Sequence, residues 1–283
     1  WTQVTDSNSY QVGFDVSDTS NNDYGWRIFD INGDALPDWV RADSSAQTIL
    51  LNTGTKWSTS TAWTVPVAFS SGNQEQGVRM AEVNGDGLID LIAASSSKIV
   101  YLNNGTSTWV ASTTWVFPES FIDTGNRDQG VQIVDVNGDG LADVLRSYYA
   151  STTGTTSKVY TNNSRGWTED TGWTIPRLLI NDLRDTAVRL YDYNGDGLID
   201  IIYSPYPYSS SATRVYYNDG RGWDLDGTVV VPFAFSDTSS AIGSGDRGIR
   251  FADVNGDGCV DMAQGLTSLT KDVRLSNCSS GWS

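Results

Sequence analysis

Apolar and polar positions alternate along this chain in short runs, and the runs recur. Gly130-Val-Gln-Ile-Val134 alternates with a period of two, and Leu91-Ile-Ala-Ala94 is continuously apolar. Lys98-Ile-Val-Tyr-Leu-Asn-Asn-Gly105 carries β-branched and aromatic residues into an Asn-Gly turn. Trp115-Val-Phe-Pro118 opens on an aromatic residue and stops at a proline. Such alternation, composition and Gly/Asn/Ser punctuation favour strand, and no segment sustains a helical period. This order of four short strands, the fourth opening at Trp115 or its counterparts Trp63 and Trp173, appears five times. It predicts an all-β fold, a five-bladed β-propeller with four-stranded antiparallel blades, in one domain over residues 1–283.

Between the first and second strands of each repeat lies an acidic nonapeptide. Five align without gaps at 30–38, 82–90, 135–143, 192–200 and 253–261, with starts 52, 53, 57 and 61 residues apart. Position 1 is Asp30, Glu82, Asp135, Asp192 or Asp253. Position 3 is Asn32, Asn84, Asn137, Asn194 or Asn255, and position 5 is Asp34, Asp86, Asp139, Asp196 or Asp257. Position 7 (Leu36, Leu88, Leu141, Leu198, Cys259) would offer its backbone carbonyl. Position 9 (Asp38, Asp90, Asp143, Asp200, Asp261) would close the sphere with both oxygens. Six or seven hard oxygens without nitrogen or sulfur suit calcium, and up to five ions are expected. Plain Asp/Asn-Gly turns are the alternative, but they would gather three anions five times over without compensation. An EF-hand is excluded: position 12 is Arg41, Ala93, Arg146, Tyr203 or Gln264 instead of Glu, and the flanks read as strands. Ala35 and Pro37 in the first loop and Glu82 in the second predict weaker sites there.

Charge agrees with this picture. Lys and Arg number 18 against 34 Asp and Glu, a net charge of −16. The loops hold 15 of the 34 carboxylates (three in each of five), and five dications would bring −16 to −6. Nothing resembles the basic stripe of a nucleic-acid binder, and no apolar run has the length of a membrane span. Histidine is absent, which removes the commonest general base and zinc ligand.

The strings Val-Asn-Gly-Asp-Gly-Leu-x-Asp and Tyr-Leu-Asn-Asn-Gly resemble the FG-GAP/VCBS repeats of integrin-α-like propellers. The Phe-Gly and Gly-Ala-Pro elements of the integrin version are not evident. The style is nearer to propellers of secreted bacterial Rhs and toxin-complex proteins and of some lectins. This resemblance implies a secreted or cell-surface, calcium-dependent binding or scaffold role.

The ends suggest how the repeats close. Trp1-Thr2 resembles Trp63-Thr64 and Trp173-Thr174, and Ser280-Gly-Trp282 resembles Arg165-Gly-Trp167. Residues near 1–16 would therefore pair with the last blade and close five blades; the alternative is part of a larger ring. The start at Trp1 reads as an excised piece of a longer protein.

Other repeated features have structural and functional readings. Asp23, Glu75, Asp128, Asp185 and Asp246 each precede a loop by seven residues, and Arg27, Arg79, Gln132, Arg189 and Arg250 follow them by four. They either pair within or between blades or offer arginines to an anion. Trp57 and Trp63, Trp109 and Trp115, and Trp167 and Trp173 recur six apart; they either pack between blades or stack on sugars. Tyr148, Tyr149, Tyr203, Tyr206 and Tyr208 fall on what read as longer loops. Tyr148, Tyr149, Tyr206 and Tyr208 are the candidate ligand contacts, because loop insertions on a rigid frame tend to carry specificity. Cys259 and Cys278 belong to one repeat and either form a disulfide or remain buried thiols.

Three function classes follow. The first is a non-catalytic module recognising a glycan or protein, and the second a shell domain contacting other domains of a longer parent chain. The third is a calcium-dependent polysaccharide lyase or hydrolase, for which no carboxylate pair outside the repeats stands out.

Overall fold

The computed structural model describes residues 14–17, 22–182, 184–236, 246–265 and 271–283. The described residues form five antiparallel blades and contain no helix. Blade one comprises Trp26–Phe29, Asp38–Ala42, Gln47–Asn52 and Trp57–Ser60. Blade two comprises Val78–Ala81, Asp90–Ala94, Lys98–Asn103 and Trp109–Ala111. Blade three comprises Val131–Val134, Asp143–Ala150, Gly154–Asn162 and Trp167–Glu169. Blade four comprises Val188–Tyr191, Asp200–Tyr203, Arg214–Asn218 and Trp223–Asp226. Blade five comprises Ile249–Ala252, Asp261–Gln264 and Asp272–Arg274, with an isolated bridge from Ser276 to Trp282. The all-β, five-bladed propeller read from the repeat is the fold found.

The fourth strand begins one tryptophan earlier than the sequence suggests. Trp57, Trp109 and Trp223 pair across the turn with Asn52, Asn103 and Asn218. The later residues Trp115 to Pro118 lie outside any strand. The two tryptophans look alike in sequence, but only the first follows the Asn-x-Gly turn that folds the chain back onto the third strand. The predicted pairing of the N-terminus with the last blade falls largely on residues 1–13, outside the described residues. Phe14, which is described, stacks on Trp26 of blade one at 3.7 Å between ring centroids.

The chain groups into two compact units. One comprises Trp1–Arg127 with Asn162–Trp167, the other Asp128–Thr161 with Thr168–Ser283. In the first unit, Ile31, Val40, Ala42, Phe69, Leu91 and neighbours from blades one and two form one buried cluster. In the second, one cluster gathers around Val136, Leu145, Ile201 and Val188, another around Tyr193, Ile202, Phe235 and Met262. Short alternating strands bury one face each, so facing blades supply the core. Connectors contribute too. The N–H groups of Phe69, Phe121, Leu179 and Phe235 donate to Ala42, Ala94, Ser147 and Ser204 at 2.7–3.0 Å. All four of those connector side chains are buried.

Candidate functional site

Each acidic loop closes on itself through its side chains. In the first, Asp30 Oδ1 accepts the N–H groups of Asn32, Gly33 and Asp34 at 3.2, 2.7 and 3.2 Å, and Oδ2 accepts that of Ala35 at 2.7 Å. Asp135, Asp192 and Asp253 repeat the pattern with their own loops. Glu82 accepts from Asn84 and Gly85 at 2.9 and 2.7 Å. The position-3 amide donates to the position-5 carboxylate in all five loops, at 2.8–3.0 Å. Position 5 also accepts the N–H of Leu36, Leu88, Leu141, Leu198 or Cys259 at 2.8–2.9 Å. This turn needs left-handed backbone at position 6. Four loops meet it with glycine, whereas Ala35 adopts φ 66°.

Position 9 does something the spacing did not reveal. Asp38, Asp90, Asp143, Asp200 and Asp261 are 0% exposed. In each, Oδ2 accepts the N–H of position 2, at 2.9–3.2 Å. In blades one, two, four and five, Oδ1 accepts an N–H at the end of the third strand, from Asn52, Asn103, Asn218 or Ser276, at 2.7–2.8 Å. The carboxylate thus braces the loop against the sheet. In the second and fourth loops burial drives its proton affinity up, and the position-5 and position-1 charges add to this, so Asp90 is raised to about 7 and Asp200 to about 6. Asp38 is raised for the same reasons. Buried and doubly bonded to backbone, these groups are not placed to exchange protons with a substrate.

The donor set fits a hard cation in kind. Each loop holds three carboxylates and an amide oxygen, and the position-5 carboxylate, with one donor per oxygen, keeps lone pairs free. In the first, second and fourth loops the position-1 and position-5 charges reach the position-9 carboxylate and raise its proton affinity. Among the described residues, however, no three acidic side chains are drawn together closely enough to hold a metal. Positions 3 and 5 face each other instead. The side chains at positions 1, 3, 5 and 9, with the position-7 carbonyl, suit calcium in chemistry.

A second repeated device links successive blades within each unit. Asn103 Nδ2 donates to Ile31 O at 2.9 Å, Asn162 Nδ2 to Val83 O at 2.8 Å and Asn218 Nδ2 to Val136 O at 2.8 Å. Each acceptor is position 2 of the preceding loop. Blade five has Ser276 where the others have asparagine, and position 2 of the fourth loop is correspondingly Tyr193. The fully buried Tyr193 hydroxyl accepts the N–H of Gly281 at 2.7 Å. The fourth-to-fifth junction carries a further departure. Elsewhere the position-7 leucine covers loop glycines: a β-carbon on Gly33 would fall 2.7 Å from Leu88 Cδ2, and one on Gly138 2.8 Å from Leu198 Cδ2. Here Cys259 and Cys278 form a disulfide, with Cα atoms 5.2 Å apart. A β-carbon on Gly195 would lie 3.5 Å from the Cys278 sulfur.

The first-strand arginines are committed. Arg27, Arg79, Arg189 and Arg250 pair with the carboxylate four residues earlier, within their own blade. Arg27, Arg79 and Arg189 also lie over Phe69, Phe121 and Phe235, at 5.7, 5.0 and 5.7 Å from the ring centroids. For Asp246, the hydrogen bond from Arg250 outweighs burial and holds the carboxyl below its usual range. The repeated tryptophans meet across successive blades, Trp63 with Trp109, Trp115 with Trp167 and Trp173 with Trp223, at 5.0–5.4 Å. Blade packing is therefore what they do.

The tyrosines read as loop residues divide. Tyr148 and Tyr149 lie in a strand, paired with Thr156 and Thr155 on one side and with Ile180 and Asn181 on the other. The insertion is a lengthened hairpin, because its threonines extend the ladder and Gly154 makes the turn. Tyr203 ends a strand of blade four. Tyr206 and Tyr208 do sit outside strands. Arg247 lies over the Tyr206 ring at 4.5 Å, and the 43% exposed Tyr208 donates its hydroxyl to Val231 O at 2.9 Å.

This fold and its acidic loops define a repeat propeller. The model of the FG-GAP-like repeat matches residues 30–93, 82–146 and 192–263, and the chain belongs to that family. No curated protein matches it in sequence. Among solved structures it is similar to a lectin of Agrocybe aegerita, described for its recognition of non-reducing terminal N-acetylglucosamine. The TM-score is 0.62 at 18% identity, covering 91% of this chain and 64% of the lectin chain. It is also similar to a chain of the Photorhabdus luminescens Tc holotoxin pore, with TM-score 0.61 and 17% identity, over 95% of this chain and 12% of that one. The chain thus spans less than two thirds of either structure. No helix among the described residues is long and apolar enough to cross a membrane.

Proposed function

We propose that this chain is a non-catalytic recognition module whose blades are stapled by calcium and which binds glycans. The observation that carries the reading is the five-fold repetition of one all-oxygen loop. Each copy holds three like charges, one of them a buried aspartate that joins loop to sheet, and in the second and fourth copies the other two raise the proton affinity of that aspartate. A dication in each loop would offset that repulsion and add its binding energy to the folded state. Positions 1, 3 and 5, the position-7 carbonyl and position 9 would hold it. The lectin's fold supports glycan recognition as the task, by analogy of fold. The disulfide suits an oxidising compartment, in keeping with a secreted or cell-surface setting. A second reading, a shell domain within a larger protein, is favoured by the match of 95% of this chain to a small part of a toxin chain. Glycan-array binding of the calcium-loaded protein tests the first reading. Specific retention of a glycan class supports it; a blank array across the major glycan classes sinks it in favour of the shell.

A further inference from the structure

Where repeats share a residue, the shared residue serves the fold; a departure that makes no link between blades invites another reading. Three departures converge on one cleft in the second unit, about 650 Å³ in volume. Arg177 follows Pro176 at a place where the other connectors carry Val67, Glu119 or Phe233. Tyr203 pairs with the start of its blade's first strand, where the other blades have Arg41, Ala93, Arg146 or Gln264. Arg184 lies on the hairpin Ile180–Asn181 with Arg184–Asp185, in the place of Gln74 in the corresponding hairpin.

The arginines here differ from those of the first strands. Arg177 stacks over Tyr203 at 4.4 Å and over Tyr216 at 5.7 Å, and its Nε donates to Tyr216 Oη at 2.8 Å. Two rings and a hydroxyl thereby fix the guanidinium plane. No carboxylate pairs with it among the described residues, which leaves its terminal nitrogens as donors. Arg184 is exposed and likewise has no ion pair among the described residues. The acids of the lining are engaged elsewhere. Asp185 takes both terminal nitrogens of Arg189 at 3.1 and 2.8 Å, and Asp182 Oδ1 accepts the Ser151 N–H at 2.7 Å. With Arg189 offsetting Asp185, the cleft sets two guanidinium groups against the one remaining carboxylate of Asp182, beside an aromatic ring and the Asn181 amide.

We propose that this cleft recognises a carboxylate-bearing sugar, with Arg177 and Arg184 receiving the carboxylate and the Asn181 amide a hydroxyl. A planar, pre-oriented guanidinium matches a carboxylate through paired hydrogen bonds. The volume accommodates a sugar ring or two. The inference rests on the glycan reading above and adds the ligand class and its place.

The test uses calcium-loaded protein and saturation-transfer NMR titrations. The probes are methyl glycosides of glucuronic, galacturonic and N-acetylneuraminic acid, set against methyl glucoside and methyl galactoside. At least one acidic sugar should bind about tenfold or more tightly than its neutral counterpart, and Arg184→Gln should abolish that preference. Arg184 is exposed, so this variant keeps the fold. Arg177→Lys, which retains charge but loses the fork, should weaken the acidic sugar while leaving the melting temperature within a few degrees. Equal binding of acidic and neutral sugars overturns the ligand class and leaves the glycan reading standing. An acidic preference untouched by both variants overturns the location. Binding of no sugar in this panel also overturns the proposal, and a blank glycan array would then remove the reading beneath it.

Discussion

Replacing Tyr193 with phenylalanine isolates one oxygen at the junction of blades four and five. The ring would keep its neighbours, Trp282 at 4.6 Å and Tyr217 at 5.9 Å. What disappears is the acceptor of the Gly281 N–H, 2.7 Å away in a fully buried setting. A buried donor left without a partner costs about 1–3 kcal/mol. For a chain of this size that amounts to a fall of roughly 2–10 °C in melting temperature. Thermal melts in calcium, with the disulfide intact, are the assay. The repeat supplies a stricter control, because the other blades solve the same problem with asparagine. Ser276→Asn should stabilise a Tyr193→Val background by about 1 kcal/mol or more and do little in the wild type, a coupling a double-mutant cycle reads directly. A Tyr193→Phe melt unchanged from wild type, together with additive double mutants, would refute the idea that tyrosine substitutes for the asparagine latch.

Three further outcomes are expected. Ala35→Gly relieves the one non-glycine residue holding left-handed backbone at position 6, and should stabilise the protein by about 0.5–1 kcal/mol in urea unfolding. Gly33→Ala should destabilise it by about 1 kcal/mol or more, since Gly33 holds φ +77° and the added carbon also meets Leu88 at 2.7 Å; a neutral result in the same unfolding assay would contradict the left-handed turn. The pH dependence should change sign with metal. Asp90 and Asp200 are raised to about 7 and about 6 from 3.8 in the unfolded chain. Their contribution to metal-free stability is therefore fully present below about pH 4 and is lost as the pH rises through 6–7. With calcium bound the carboxylates must be ionised, so protection by calcium should grow over the same interval. Melts with calcium and with chelator at pH 5 and pH 8 compare the two, and parallel curves would contradict it.

Much of this was legible because the chain repeats itself. Five in-register nonapeptides gave the number of blades, and the flanking apolar runs gave their strands. Cys259 and Cys278 occupy the positions of Leu88 and Gly105, residues that lie against each other in blade two, so the disulfide follows from the repeat. The fourth strand was misplaced because two tryptophans six residues apart carry the same propensity, and only turn geometry separates them. Tyr148 and Tyr149 were read as loop residues because an insertion that lengthens a hairpin looks, in sequence, like one that interrupts it. Position 9 hid its brace behind its expected role: an aspartate that could ligate a cation is also one that can accept two backbone N–H groups. The asparagine latch left a usable signal in Asn103, Asn162 and Asn218, and its exception at Ser276 pointed to Tyr193. The cleft of Arg177 and Arg184 left only departures from the repeat, which became meaningful once the fold brought them together.

The staple itself is tested most directly by calorimetric titration of calcium into chelator-stripped protein at pH 8. Saturable uptake approaching five ions per chain, with the loops carrying Ala35 and Glu82 filling last, is the predicted result. A protein that takes up no calcium and melts at the same temperature with or without it would contradict the account.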